Sequence, residues 1–227
     1  ENLDYKGVKK IIEDYSNFSK VIYERIGPDA QRLLNANENI RLGRQIMNLN
    51  NTKIGEDDTN IVITGSGPSL DTYKDTLKKH RDKYFIISAG SSLMTLLNHG
   101  ITPDLHFELE FQNLAAQYLN HVNESHSLKK IELICSLESN PGMPTYFDKK
   151  HLFVQETSEL MNHYNHEFIL RFGGITCTNG AAAFANRVAS GNIYLIGLDY
   201  AYTNGEHHAK DNIANQKNLP IELEELE

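Results

Sequence analysis

At 227 residues, 40% of them apolar, the chain can bury one sizeable core, yet no apolar run approaches the roughly 20 residues that a membrane-spanning helix needs. Its 30 acidic against 22 basic residues, a net charge of −8, argue against a phosphate-backbone partner and exclude nucleic acid as the main ligand class. Cys135 and Cys177 supply neither a disulfide framework nor a metal-type spacing, which fits a reducing cytoplasm.

The start, Glu1-Asn2-Leu3-Asp4, is polar and acidic, unlike a secretory signal, and without an initiating Met it reads as part of a longer chain. Val8, Ile11, Ile12, Tyr15, Phe18 and Ile22 recur at helical spacing, so residues 3–25 are expected to form an amphipathic helix. Gly27-Pro28-Asp29 breaks it and opens a second helix carrying Leu33, Leu34, Ile40, Ile46 and Met47. Asn48 to Asn60 is polar and reads as a linker or exposed loop.

From Asn60 onward strand-like runs alternate with helical ones. Strands are expected at Ile61–Thr64, Tyr84–Ser88, Asp104–Glu110, Ile131–Ser136, His151–Val154, Phe168–Arg171 and Ile193–Gly197. Helices are expected from Pro68, over Ser91–Asn98, near Asn113–Leu119, near Ser158–Asn165 and over Thr178–Ala189. This alternation predicts an α/β, Rossmann-like fold: a mostly parallel sheet flanked by helices, with an N-terminal helical arm. The expected division is a helical arm and linker over 1–59, a Rossmann-like domain over 60–215, and an acidic tail over 216–227 that reads as truncated.

In open α/β sheets ligands bind beyond the C-terminal ends of the strands, and here those ends are rich in small polar residues. After the first strand comes Gly65-Ser66-Gly67-Pro68-Ser69, a turn that aims backbone N–H groups and a helix dipole at one point, where a phosphate can sit. It is not a P-loop, and Leu70 replaces the third glycine of the dinucleotide fingerprint. An ordinary strand–helix corner is the alternative. Ser91 follows the second strand and either approaches a ligand or caps its helix. Glu108 and Glu110 share one face of the third strand and can face Mg²⁺, a ribose or nothing. Thr176-Cys177-Thr178-Asn179-Gly180 opens an alanine-rich helix and offers a second polar helix N-terminus. Asp199 and Tyr202 follow the last strand, and His207 with His208 are the acid–base candidates, or a solvated pair. No tight metal site is expected.

Gly65-Ser66-Gly67-Pro68-Ser69-Leu70 resembles the G-x-G-P-S-L turn of bacterial sialyltransferases that use CMP-activated sialic acid. The segment from Ile175-Thr176-Cys177-Thr178 to Tyr194-Leu195-Ile196-Gly197-Leu198-Asp199-Tyr200 resembles their second nucleotide-binding segment. With Gly100-Ile101-Thr102-Pro103-Asp104, the closer similarity is to the flagellin-modifying motility accessory factors, over about residues 30–211. The resemblance implies a glycosyltransferase moving a nonulosonic acid (sialic, pseudaminic or legionaminic type) from a CMP donor to Ser or Thr of flagellin. No cofactor would be tightly bound. Gly65, Ser66, Gly67, Pro68, Ser69, Ser91, Glu110, Thr176, Thr178, Asn179 and Tyr202 would line the donor site, with Asp199, His207 and His208 catalytic. Ser66 stands where the sialyltransferases carry Asn, and one extra residue separates Asp199 from Tyr202. The same domain class includes hydroxymethyldihydropterin pyrophosphokinases, which use ATP and Mg²⁺. That diphosphokinase chemistry is the alternative, as is a catalytically silent nucleotide-binding module.

Overall fold

The computed structural model describes residues 28–174, 176–202 and 205–213. The helix expected over 3–25 and the tail over 216–227 lie outside them. Seven strands form one sheet: β1 Asn60–Thr64, β2 Tyr84–Ala89, β3 Leu105–Glu108, β4 Glu132–Ser136, β5 Lys150–Gln155, β6 Ile169–Leu170 and β7 Ile193–Ile196. All pairs are parallel, in the spatial order β6-β5-β4-β3-β2-β1-β7. Five helices flank them: α1 over residues 28–41, α2 Ser69–Lys79, α3 Ser92–Asn98, α4 Asn113–Ser125 and α5 Cys177–Val188. The fold is α/β and Rossmann-like, as expected. Among the described residues no helix is long and apolar enough to cross a membrane.

The chain steps outward one strand at a time from β1 to β6, then returns to place β7 on the far side of β1. Right-handed crossovers put helices of opposite travel on opposite faces. Accordingly α2, α3 and α4 cover one face, where Leu70, Leu77 and Leu96 meet Val62 and Ile86, and Leu93, Leu119 and Val122 meet Leu133 and Leu152. On the other face α5 packs Ala181, Phe184, Ala185 and Val188 against Ile61, Ile63, Ile87, Leu105 and Phe107. The two-residue alternation of each strand thus feeds two cores. Gly180 lets α5 approach closely, since a Cβ there would lie 2.6 Å from the Phe107 ring.

The expected helix running from Pro28 to Met47 stops at residue 41. Ile46 and Met47 instead run beside β5, where Met47 N–H donates to Leu152 O at 2.7 Å and Leu152 N–H to Gln45 O at 3.0 Å. Met47 and Leu49 are buried in the α5-side core, so the start of the polar connection is structural. Helix α1 is inverted: Leu33, Leu34 and Ile40 are exposed, while Asn35, Ala36 and Asn39 are buried. The amide of Asn35 donates to Phe111 O (2.8 Å) and Glu138 O (3.0 Å), and that of Asn39 to Leu137 O (2.7 Å) and Ser139 O (2.9 Å). Gln31 and Arg44 donate to the two amide oxygens. These four carbonyls belong to the loops leaving β3 and β4, so α1 is fastened to the end of the sheet that carries the candidate site.

Asn39→Leu keeps the branched shape but strands the carbonyls of Leu137 and Ser139. It should lower the unfolding free energy by about 3 kcal/mol in urea denaturation, whereas Leu34→Gln on the exposed face should leave it unchanged.

Candidate active site

The turns after β1 and β7 are joined backbone to backbone. Gly65 N–H donates to Ile196 O and Gly67 N–H to Gly197 O, both at 2.8 Å. A Cβ at Gly65 or Gly197 would collide with the opposite backbone, and one at Gly67 would run into Asp199 Oδ2 and lie 2.8 Å from Gly197 O. Only glycine permits this approach. The N–H of Ser69, first residue of α2, donates to Asp199 Oδ2 at 2.8 Å, and Gly197 N–H donates to Ser69 Oγ at 3.0 Å. Leu70 and Asp71 N–H groups are taken by Gly67 O and Pro68 O. The anion at the start of α2 is therefore the protein's own Asp199 carboxylate, complementing the helix dipole.

The start of α5 differs. Thr176 caps it, accepting from Asn179 N–H at 3.2 Å, while the N–H groups of Cys177 and Thr178 have no partner among the described residues. Thr176 and Thr178 hydroxyls lie 3.2 Å apart, Tyr200 OH is 3.3 Å from Thr178 Oγ1, and it donates to Asn179 Oδ1 at 3.1 Å. A Cβ on Gly65 would sit 3.0 Å from Thr178 Cγ2, so this first turn abuts the β1 turn. Two open N–H groups, two hydroxyls and a phenol converge there, the donor set an anion of phosphate type requires.

The other expected residues fall around this centre. Ser91 Oγ donates to Ser66 Oγ at 2.9 Å. A strap over residues 209–213 crosses both: Ala209 N–H donates to Ser66 O at 2.8 Å and Asn212 Nδ2 to Ser91 O at 3.2 Å. Lys210 N–H reaches Asp71 Oδ2, and Asp211 pairs with His99 at 2.8 Å. Burial alone would raise the Asp71 carboxyl, but Lys74 and the Lys210 N–H outweigh it and hold it below the ordinary value. Glu110 Oε1 accepts from Phe111 and Gln112 N–H at the start of α4. Tyr202 is exposed and its ring meets His207 at a tilt of 43° with centroids 4.2 Å apart, and His207 stacks on His208 at 5.6 Å. Pro68 begins the corner into α2.

Under the α5 turn lies a buried polar group. Glu108 Oε1 accepts from Cys177 Sγ (2.8 Å), Leu109 N–H (2.8 Å) and Glu110 N–H (3.0 Å). Burial raises its carboxyl and, with the Glu108 charge, pushes the Cys177 thiol well up. His106 Nδ1 is 3.0 Å from Ser88 Oγ, its Nε2 lies 3.8 Å from Glu108 Oε2, and burial pulls it down to about 4. Ser88, His106 and Glu108 have the residue types of a hydrolytic triad, but all three are sealed from solvent, so their work is structural. Among the described residues no cluster of three or more His, Cys, Asp or Glu could hold a metal ion. In the sequence Tyr200 is only part of the segment after the last strand, with no role, and neither the Cys177–Glu108 bond nor the place of Asn212 is revealed. Only Tyr200 carried a signal, being next to Asp199.

A parallel sheet whose strand order reverses between β1 and β7, with the first turn of α5 beside the β1 turn, defines a Rossmann-like α/β domain. The family model described as 6-hydroxymethylpterin diphosphokinase MptE-like matches residues 31–205, and the chain belongs to this MptE-like family. Among solved structures it is similar to the MAf glycosyltransferase from Magnetospirillum magneticum AMB-1, with a TM-score of 0.64 and 27% identity over 71% of this chain. The chain spans 25% of that protein's length. Together these matches support the motility accessory factor-like family. No curated protein matches the chain.

Gly67→Ala should push Asp199 off the Ser69 N–H and lower stability by about 2 kcal/mol in thermal or urea unfolding, and Asp199→Asn by about 1 kcal/mol. A second expectation concerns pH. Between the ordinary His value of 6.5 and about 4, the unfolded chain takes up a proton that buried His106 does not. Its contribution is thus complete above pH 6.5 and is lost as pH falls through that window, by about 3 kcal/mol. The urea midpoint of His106→Asn should fall less steeply over that window than that of the unsubstituted chain.

Proposed function

We propose that this chain is the donor-binding domain of a glycosyltransferase that moves a nonulosonic acid from a CMP donor to Ser or Thr of flagellin. The observation that carries the reading is the open first turn of α5. Its Cys177 and Thr178 N–H groups lack partners among the described residues, its Thr176 and Thr178 hydroxyls lie 3.2 Å apart, Thr178 abuts the β1 turn, and Tyr200 OH lies 3.3 Å from Thr178 Oγ1. The similarity to a glycosyltransferase at 27% identity supports it.

The donor phosphate lies on these groups, and the nucleoside runs along Gly65–Ser69 and Ser91. In the transfer, the bond between the anomeric carbon and the phosphate oxygen breaks, and its electron pair leaves with CMP. The acceptor hydroxyl oxygen forms the new bond to that carbon, and its proton passes to an imidazole nitrogen of His207 or His208. CMP is already a good leaving group, so positioning and stabilisation of the departing charge are the protein's main contributions. Tyr202 joins Tyr200 in hydrogen bonding that phosphate. Asp199 acts at one remove, because its carboxylate holds the β7 loop on the start of α2.

The family's diphosphokinase description favours a second reading, diphosphate transfer from ATP with Mg²⁺. A cation held by Glu108 and Glu110 through the oxygens now in use would require Glu108 to release Cys177 and Glu110 to release two N–H groups. Calorimetry with CMP and with ATP, each with and without Mg²⁺, separates the readings. CMP should bind without Mg²⁺, and Thr178→Ala should weaken it about tenfold by removing a hydrogen bond to a charged group. Binding of ATP only with Mg²⁺, and none of CMP, would favour the diphosphokinase.

A further inference from the structure

The chain carries a net charge of −8, yet one cavity collects positive charge. About 550 Å³ in volume, it is lined by Arg44, Gln45, Asp148, Lys149, Lys150 and His151, with Leu42 as the one large apolar side chain on its wall. Small organic ligands occupy cavities of about 300–1,000 Å³. This one lies at the start of β5, whereas the α5 turn abuts the loop that leaves the end of β1, so the two stand at opposite ends of the parallel sheet. Backbone bonds hold its walls. Leu152 N–H donates to Gln45 O at 3.0 Å and Met47 N–H to Leu152 O at 2.7 Å, while Leu133 N–H donates to Lys149 O at 2.9 Å. Carbonyls in the last turns of α1 are already used: Leu42, Gly43 and Arg44 N–H groups donate to Glu38 O, Ile40 O and Asn39 O.

Arg44 stands apart among these cations. It is half-buried, with Nη1 donating to Asn39 Oδ1 and Nη2 to Pro141 O at 2.6 Å. Its other N–H groups have no partner among the described residues, and no carboxylate there forms an ion pair with it. Burial lowers its guanidinium from the ordinary arginine value, and the carboxylate that opposes this, Glu38, is already paired with Arg41 at 2.7 Å. Lys149 is exposed and, among the described residues, has no ion pair either. Lys150 Nζ donates to Phe147 O at 3.0 Å, and His151 Nε2 lies 3.6 Å from Glu132 Oε1. Asp148 is thus the one carboxylate on the wall against three permanent cations. A half-buried cation without a counter-ion costs free energy that an arriving anion recovers, and the guanidinium fork matches the oxygens of a phosphate or carboxylate.

We propose that this cavity is a second binding site, separate from the donor crevice, that takes a small polyanion bearing phosphate or carboxylate groups. Arg44 supplies the fork, and Lys149 and Lys150 neutralise the remaining charge. A single negative charge would leave most of the wall uncompensated, and the lining has too little apolar surface to hold a lipid chain or an aromatic ring. The site does not depend on which transfer the α5 turn serves.

The test is an NMR titration of the isotope-labelled chain at low salt, with pyrophosphate and separately with citrate, following the Arg44 Nε–H and the Gly43, Lys149 and Lys150 amide signals. At least one probe should shift these signals together, and which one does so decides between phosphate and carboxylate chemistry. Added NaCl should weaken the binding. Lys149→Glu reverses an exposed charge without touching a packed group and should weaken it about tenfold, as should Arg44→Lys, which keeps the charge but loses the fork. Pyrophosphate bound at the α5 turn gives its own set of shifts, which Thr178→Ala should weaken while the Arg44 set stays. Loss of the α5 set alone would count against the donor site and leave this one standing. No shift at Arg44 and Lys149 with either probe would overturn the proposal, and so would shifts confined to residues 65–69 and 176–179 or full affinity in Lys149→Glu.

Discussion

Two backbones meet between β1 and β7 with no side chain between them. Gly65 and Gly67 donate to the carbonyls of Ile196 and Gly197, and a Cβ at any of Gly65, Gly67 or Gly197 would be driven into the opposing turn. The rest of the site depends on this contact. It is made at the one place where the strand order reverses, so residues well over a hundred positions apart in the chain become neighbours. It seats Asp199 on the start of α2, and Thr178 comes to rest against Gly65. The crevice is a consequence of topology: the chain runs outward to β6 and only α5 brings it back.

The alternation of strand and helix from Asn60 onward was legible because it rests on local physics. Apolar runs with glycine-rich punctuation specify the strands, and parallel pairing follows from the crossovers between them, although β4–β5 and β5–β6 are joined by 3₁₀ turns and the helix expected near Ser158–Asn165 is only the short turn Met161–His163. Helix α1 was legible only in outline. Its leucines suggest an apolar inner face, but tertiary hydrogen bonding prevails, and Asn35 and Asn39 are the residues turned inward. Nothing local to residues 28–41 reveals that four unpaired carbonyls wait in the loops after β3 and β4. For the same reason the polar stretch after Met47 hid Leu49, a buried residue whose N–H bonds to Glu167 O.

The candidate site divides along a similar line. Small polar residues at strand ends mark the crevice, since their spacing follows from the fold. Which helix N-terminus is open is not legible, because it depends on where distant carboxylates land. The Gly65–Ser69 turn has every local feature of an anion site, and the structure fills its α2 N–H group with Asp199. The Thr176–Asn179 turn looks more ordinary in sequence, yet its Cys177 and Thr178 N–H groups are without partners among the described residues.

That asymmetry gives Glu108 a definite place. A carboxyl buried at the end of β3 is costly unless hydrogen bonded, and Glu108 meets the cost with two backbone N–H groups and the Cys177 thiol. The thiol bond ties the first residue of α5 to the centre of the sheet, so the open N–H groups are held in place before any ligand arrives. Preorganised donors cost no rearrangement when negative charge develops. A flexible turn with the same residues would spend part of its binding energy on becoming ordered. Placing an acid in the core beneath the turn, where solvent cannot compete for it, keeps the first turn of α5 fixed against the end of β3.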